Sequence, residues 1–212
     1  MIMRTGLLTF LLVRSKKLLL FPLLLLASCS FFEVKTPPTH SYVISRLPPY
    51  TIKSGRHSST LMVMPMETSA IYNTTQMAYT TKPYQIAYFS SNEWAEVPTR
   101  MIQPLIVQTL QKTNYYRAVV TTPFVGQYQY ILNTQLIELK QNFMHQPSTL
   151  ELKINAQLVS VSSGTVMGSK EFYISQYMPM RTPYGGVLAA NVASARILEQ
   201  LARFVVQTNS RY

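Results

Sequence analysis

The sequence predicts an α+β fold, in which an antiparallel or mixed β-sheet is covered by two main α-helices within a single domain. Two segments in the second half of the chain alternate apolar and polar residues with a period of two, which is typical of half-buried strands. Two further segments carry apolar residues three and four apart, which is typical of amphipathic helices. The chain has 212 residues, of which 47% are hydrophobic, and this is enough for one core.

Short strands account for the first half of the predicted sheet. One is expected within residues 41–47, and a buried one at Thr60–Met64 is closed by a proline. Two short apolar runs, Gln76–Thr80 and Tyr84–Phe89, are separated by Thr-Lys-Pro and predict a hairpin. The polar Ser90–Asn92 that follows predicts a break.

Two segments have helical spacing. The first runs from Glu93 to Thr113, with an apolar stripe made of Trp94, Val97, Met101, Ile102, Leu105, Ile106, Thr109 and Leu110. Pro98 is typical of a first helical turn, whereas Pro104 predicts a kink or a late start. The second helix is expected from Val187 to Gln207. Its predicted stripe contains Leu188, Val192, Ala195, Leu198, Ala202 and Val205, and leaves Ser194 outside it.

The most regular strand signals lie between the two helices. Residues 128–136 and 150–158 alternate apolar and polar positions, and a third long strand is expected at 167–176, with Phe172 and Ile174 on one face and Tyr173 on the other. Ser162–Thr165 is expected to be a tight turn. The prolines and glycines of Tyr177–Gly186 predict a loop before the last helix.

The first 28 residues have the pattern of a signal peptide. A basic cluster at Arg14–Lys17 precedes the apolar run Leu18–Ala27, which is too short to span a bilayer core of about 30 Å as a helix. The run ends in Leu26, Ala27, Ser28 and Cys29, which resembles a bacterial lipobox. Cys29 is the only cysteine, so it is the only thiol that could carry a diacylglycerol. We therefore predict a lipoprotein signal peptide over 1–28, a lipidated flexible tether over 29–41 and an α+β domain over 42–212.

Composition limits the chemistry open to this chain. All eight acidic residues are Glu and there is one Cys, which excludes Asp-based triads and Cys-based zinc sites. No nucleophile is accompanied by a base, so we predict that the protein is not an enzyme, binds no metal and has no cofactor other than the N-acyl and S-diacylglycerol lipid on Cys29. The net charge is +11, but the basic residues are scattered, so we expect no nucleic-acid binding.

The order of these segments resembles a known family. The stretch from Tyr84 through Trp94-Ala-Glu-Val-Pro98, then Tyr130–Leu139, Leu158–Met167 and the helix opening at Leu188, is similar to the ABC-type transport auxiliary lipoproteins, the family that includes paraquat-inducible protein C. The resemblance implies a non-catalytic docking component of a system that contains an ABC permease, an ATPase and an MCE-domain protein and moves lipids between membranes. In lipoproteins of this type, a serine after the lipidated cysteine, here Ser30, implies the inner leaflet of the outer membrane.

Two other functions are compatible with the residues. One is a lipid chaperone with its own apolar groove, for which Met62, Met64, Tyr88 and Met101 are the candidate lining. The other is an assembly lipoprotein of an outer-membrane pore. The sequence also leaves a homo-oligomer open.

The candidate partner-binding residues are Tyr177, Arg181 and Tyr184. They lie on the predicted loop before the last helix, where aromatic side chains are unusual for a solvated connection, and Tyr and Arg are enriched among residues that dominate interfaces. We expect this loop and the turn at Ser162–Thr165 to contact the MCE partner together. Trp94 has two candidate roles, core packing and partner contact.

Overall fold

The protein is described here by a computed structural model that covers residues 38–49, 55 and 57–210. The elements in these residues are β1 (His40–Tyr42), β2 (Thr60–Val63), β3 (Glu67–Thr68), β4 (Gln76–Thr80), β5 (Ala87–Trp94), α1 (Pro98–Lys112), β6 (Ala118–Thr121), β7 (Tyr130–Asn142), β8 (Thr149–Ser160), β9 (Val166–Tyr177) and α2 (Pro183–Asn209). The predicted signal peptide and most of the tether lie outside the described residues. β1 begins at His40, two residues before the predicted start of the domain.

The strands form one mixed sheet organised around β7. The 13-residue β7 pairs with β8 in antiparallel fashion along its whole length, and β8 pairs in the same way with β9. The other edge of β7 receives β2, β3 and β4 in succession, all parallel to it. β6 continues the sheet beyond β2, and β5 and β1 continue it beyond β4. The prediction of an antiparallel or mixed sheet is confirmed as a mixed one.

Both helices contribute buried side chains to the same core cluster as the sheet. The predicted alternation is confirmed on β8 and β9, where Leu152, Ile154 and Phe172 point into the core and Tyr173 points away. A bulge after Leu136 shifts the alternation of β7 by one residue. The described elements form one compact unit, which confirms the single α+β domain.

The first helix differs from its prediction because β5 is longer than expected. Ser90–Asn92 does not end the strand, since Asn92 pairs with His40 of β1 and β4 pairs with Tyr88 and Glu93 on either side of this stretch, across an irregularity in the register. Trp94 therefore ends a strand instead of opening a helix, yet it is 3% exposed. Helix α1 begins at Pro98 and continues past Pro104, so Pro104 does not delay its start. Asn114, just after the helix, has a φ of 54°, a left-handed conformation that commonly ends helices.

Helix α2 begins earlier than predicted, and the face that it buries differs from the predicted one. It starts at Pro183, so the predicted loop is shorter and Tyr184 lies in the first turn. Leu188, expected in the buried stripe, is 38% exposed, whereas Ser194, expected outside it, is buried. A Cβ atom at Gly186 would overlap the side chain of Gln141 on β7, so this glycine allows the helix to pack closely on the sheet.

Candidate functional site

Arg181 joins the two loops at one end of the sheet. Its guanidinium donates hydrogen bonds to the carbonyl oxygen of Phe143 at 2.8 Å, the hydroxyl of Ser148 at 2.8 Å and the carbonyl oxygen of His145 at 3.3 Å. It also lies 5.2 Å from the centroid of the Phe143 ring, within cation–π range. The loop between β7 and β8 is therefore held against the segment between β9 and α2.

Four large side chains are exposed on these joined segments or at the ends of the elements that flank them. Met144, Tyr177, Met180 and Tyr184 are 37%, 66%, 43% and 48% exposed, and we call them the loop-end surface. The ring of Tyr184 packs on that of Tyr42 in β1, with a centroid distance of 5.8 Å. The surface thus presents aromatic and thioether groups from an ordered support.

The structure separates the three predicted binding residues into two exposed tyrosines and one arginine that is bonded within the chain. Tyr177 ends β9 and Tyr184 lies in α2, and both side chains are exposed. The donor groups of Arg181 instead bind the neighbouring loop of its own chain. Cys29, Leu26, Ala27 and Ser28 lie outside the described residues.

The prediction that Ser162–Thr165 lies beside the loop-end surface is wrong. That turn joins β8 to the start of β9, whereas Tyr177 is at the end of β9. A 12-residue strand separates them by roughly 40 Å. The hairpin geometry places the two features at opposite ends of the sheet because both ends of one long strand cannot meet.

In the part of the chain that the structure describes, the residues suggested to line a lipid groove belong to separate segments: β2 and the residues just after it, β5 and α1. Met62 is 2% exposed, and Met64 lines a depression on the face of the sheet away from the helices. The Met101 sulfur accepts a long hydrogen bond from the Ile44 amide at 3.5 Å. The Tyr88 hydroxyl donates to the carbonyl of Ile71.

An ion network that the sequence analysis missed follows the bulge in β7. The ammonium of Lys140 contacts Glu138 and lies 3.1 Å from Glu151, and the Asn142 amide donates to Glu151 at 2.8 Å. Burial acts to lower the pKa of Lys140, but its hydrogen bonds to both carboxylates outweigh this and raise that pKa. Glu138, Lys140 and Asn142 are two residues apart and share one face of β7. The register beyond the bulge places Lys140 directly across from Glu151, and that register leaves no simple signal in the sequence.

The histidines are distributed over separate places. His40 lies in β1, His57 bonds Ser59 and stacks on Tyr115, and His145 is exposed in the β7–β8 loop. Among the residues that the structure describes, no group of three or more His, Cys, Asp or Glu side chains could hold a metal ion. In the same part of the chain, neither helix has the length and apolar character needed to cross a bilayer.

Comparisons with solved structures reproduce the fold. A crystal structure of a Xanthomonas campestris protein of the family DUF330 superposes with a TM-score of 0.70 at 16% identity, and covers 83% of this chain and 98% of its own. A protein described as uncharacterised gives a TM-score of 0.65 at 14% identity, covering 80% of this chain and 99% of its own. At these identities the likeness concerns the fold alone.

The comparison with family models identifies the family of this chain, whereas the solved structures show only its fold. No curated protein matches this chain. The sequence model of the ABC-type transport auxiliary lipoprotein component matches residues 42–202, and these residues include all elements from the end of β1 to most of α2. The chain therefore belongs to the family of ABC-type transport auxiliary lipoprotein components.

Proposed function

We propose that this auxiliary lipoprotein is a non-catalytic docking component of an MCE/ABC-type lipid transport system. Lipid on Cys29 would anchor it at the periplasmic face of the outer membrane. Family membership supports an auxiliary role beside an ABC transporter. The lipobox-like Leu-Ala-Ser-Cys and the serine at position 30 support the anchor and its membrane.

The exposure of the loop-end surface is the observation that carries the docking proposal. Tyr and Met are enriched in protein interfaces, and residues on loops with a rigid support often bind partners. Tyr177 and Tyr184 are exposed although each belongs to a regular element. Arg181 restrains the loops beside them, which lowers the entropy lost on binding. We propose that an MCE-domain protein contacts this surface.

Docking accounts for the structure better than a lipid chaperone does. Two depressions of about 670 and 560 Å³ are large enough for a ligand, but side chains with amide or charged groups line much of both. Lys170, Gln200, Arg203 and Gln207 lie in the first. An acyl chain there would leave these polar groups without hydrogen-bond partners.

Co-purification tests the docking surface. We expect the double variant Tyr177→Ser/Tyr184→Ser to fold normally but to lose the MCE-domain protein that copurifies with the wild type. Arg181 stays unchanged, because its replacement would disturb the loops. The matched control is Val161→Ser/Val166→Ser, which removes two exposed apolar side chains at the far end of the sheet. Full copurification with the double tyrosine variant would exclude this surface as the docking site.

Two substitutions test the anchor and its membrane. Cys29→Ala should abolish labelling by an alkyne palmitate analogue, because the chain contains no other cysteine. Ser30→Asp should keep the label but move the protein to the inner-membrane fraction of a density gradient, with Ser30→Ala as the control. Persistent labelling of Cys29→Ala would contradict lipidation, and an unchanged fraction for Ser30→Asp would contradict the membrane assignment.

A further inference from the structure

The face of the sheet opposite the helices carries four primary amides side by side. Asn133 and Gln135 of β7 lie directly across from Gln157 and Asn155 of β8 in the antiparallel register. The two amides on β7 are exposed and the two on β8 are half-buried. Within the described part of the chain, none of the four side chains makes a hydrogen bond to another protein group, so their donors and acceptors remain available.

A depression of about 560 Å³ surrounds these amides. The segment Met64–Met66, which links β2 to β3, forms one side of it. Gln135 and Asn155 are paired across β7 and β8. Glu67 of β3 pairs with Gln135 on one side, and Glu171 of β9 pairs with Asn155 on the other. One row of polar side chains therefore crosses four strands, with a carboxylate at each end and amides between them.

The charges of this depression disfavour an anionic ligand. The described residues that line it include one carboxylate, that of Glu67, and no Lys, Arg or His side chain. Lys153, which lies beside the row on β8, is paired with Glu171 at 3.3 Å. A phosphate group would meet carboxylates and amide carbonyls here without a free cation, so phospholipid headgroups and nucleic acids are poor candidates.

Primary amides and carboxylates suit a ligand rich in hydroxyl groups. An amide supplies two N–H donors and a carbonyl acceptor, and a carboxylate accepts from several hydroxyls at once. A sugar hydroxyl both donates and accepts, so neighbouring hydroxyls on one ring can satisfy both ends of an amide. The strand separation of roughly 4.8 Å is also close to the length of one pyranose ring.

We propose that the four amides together with Glu67 and Glu171, which we call the amide row, bind a neutral glycan chain lying across β3, β7, β8 and β9. Successive sugars meet Glu67, Gln135 and Asn155, while Asn133 and Gln157 bind substituents on one side of the chain. Tyr173 lies in the next row of β9 and is 49% exposed, with the Lys153 ammonium 5.4 Å from its ring centroid, so only the remaining exposed part of the ring could contact a sugar. This site is on a different part of the sheet from the loop-end surface and does not depend on the docking proposal.

Saturation-transfer NMR with chitohexaose, a soluble neutral β-linked hexasaccharide, tests the site on the full chain. The lipoprotein is kept in lauryldimethylamine oxide, because maltoside detergents carry sugar headgroups that would compete. We expect saturation transfer to the sugar ring protons for the wild type. The double variant Gln135→Met/Asn155→Leu keeps side-chain size but removes the hydrogen-bonding groups, and we expect it to raise the Kd by about tenfold or more.

The control is Gln200→Met/Gln207→Met, which removes two exposed amides from α2 and should leave the affinity unchanged. If the first double variant does not fold, the single variants Asn133→Ala and Gln157→Ala test the same surface, and each should weaken binding. Absence of saturation transfer to the folded wild type would overturn the proposal. So would unchanged affinity in folded variants of the amide row, an equal loss in the α2 control, or inorganic phosphate displacing the sugar.

Discussion

Two neighbouring tyrosines should respond in opposite ways to loss of their hydroxyl groups. Tyr115 and Tyr116 are 4% and 5% exposed, and their rings pack edge to face at 5.0 Å. The Tyr115 hydroxyl accepts a hydrogen bond from the Asn209 amide at 3.2 Å near the end of α2. Among the described residues, the buried Tyr116 hydroxyl has no partner.

We expect Tyr116→Phe to stabilise the protein by about 1 kcal/mol, because an unpaired buried polar group costs about 1–3 kcal/mol and the ring contacts remain. Tyr115→Phe should instead destabilise it by about 1–3 kcal/mol, because the Asn209 amide would then be buried without a partner. For a domain of this size, each kcal/mol corresponds to roughly 2–4 °C in Tm. Thermal unfolding followed by circular dichroism measures both changes.

The dependence of stability on alkaline pH provides a second test of the Tyr116 hydroxyl. Burial, together with the nearby Tyr115 and Tyr130, raises the pKa of Tyr116, and burial raises the pKa of Tyr72 to about 12. The unfolded chain loses these protons near pH 10, so the free energy of unfolding should fall as the pH rises above about 10. Tyr116→Phe should make that fall shallower. A lower Tm for Tyr116→Phe, or an unchanged alkaline slope, would refute the argument that its hydroxyl is buried and unpaired.

Three further substitutions test the packing of this domain. Gly185→Ala should destabilise the fold by about 1–3 kcal/mol, because its methyl group would overlap the backbone carbonyl oxygen of Met180. Gly55→Ala, where a Cβ atom meets nothing within 4 Å, is the control, and equal Tm values for the two variants would contradict the close approach. If the buried Trp94 packs the core, Trp94→Ala should lower the free energy of unfolding, measured with urea, by about 3–5 kcal/mol. An unchanged Tm together with weaker partner binding would instead favour the partner-contact role. Arg181→Met should accelerate amide hydrogen exchange in residues 143–148, which its guanidinium binds, and unchanged exchange would show that other contacts hold this loop.

Some features of the loop-end surface can be predicted from the sequence, and others cannot. Tyr177 and Tyr184 were predicted from their aromatic character among prolines and glycines, and the structure exposes both. Arg181 was predicted on the same loop, but its bonds to Phe143 and Ser148 depend on residues more than thirty positions away. The turn at Ser162–Thr165 was placed beside them wrongly, because the loop composition carries no information about which end of the sheet a loop occupies.

Local periodicity by itself determined the long strands, their buried faces and both helices, because a period of two or of 3.6 is set by the backbone of each segment. It therefore predicted that Phe172 and Tyr173 would lie on opposite faces of their strand, and in the structure Phe172 is buried and Tyr173 is exposed. The tertiary structure alone decided that β2, β3 and β4 line up parallel to β7, and that β5 continues through Ser90–Asn92. Those outcomes depend on pairing between distant segments, which satisfies backbone hydrogen bonds wherever a partner strand is available. The same long-range pairing brings the amides of β7 and β8 into one row, which neither strand forms alone.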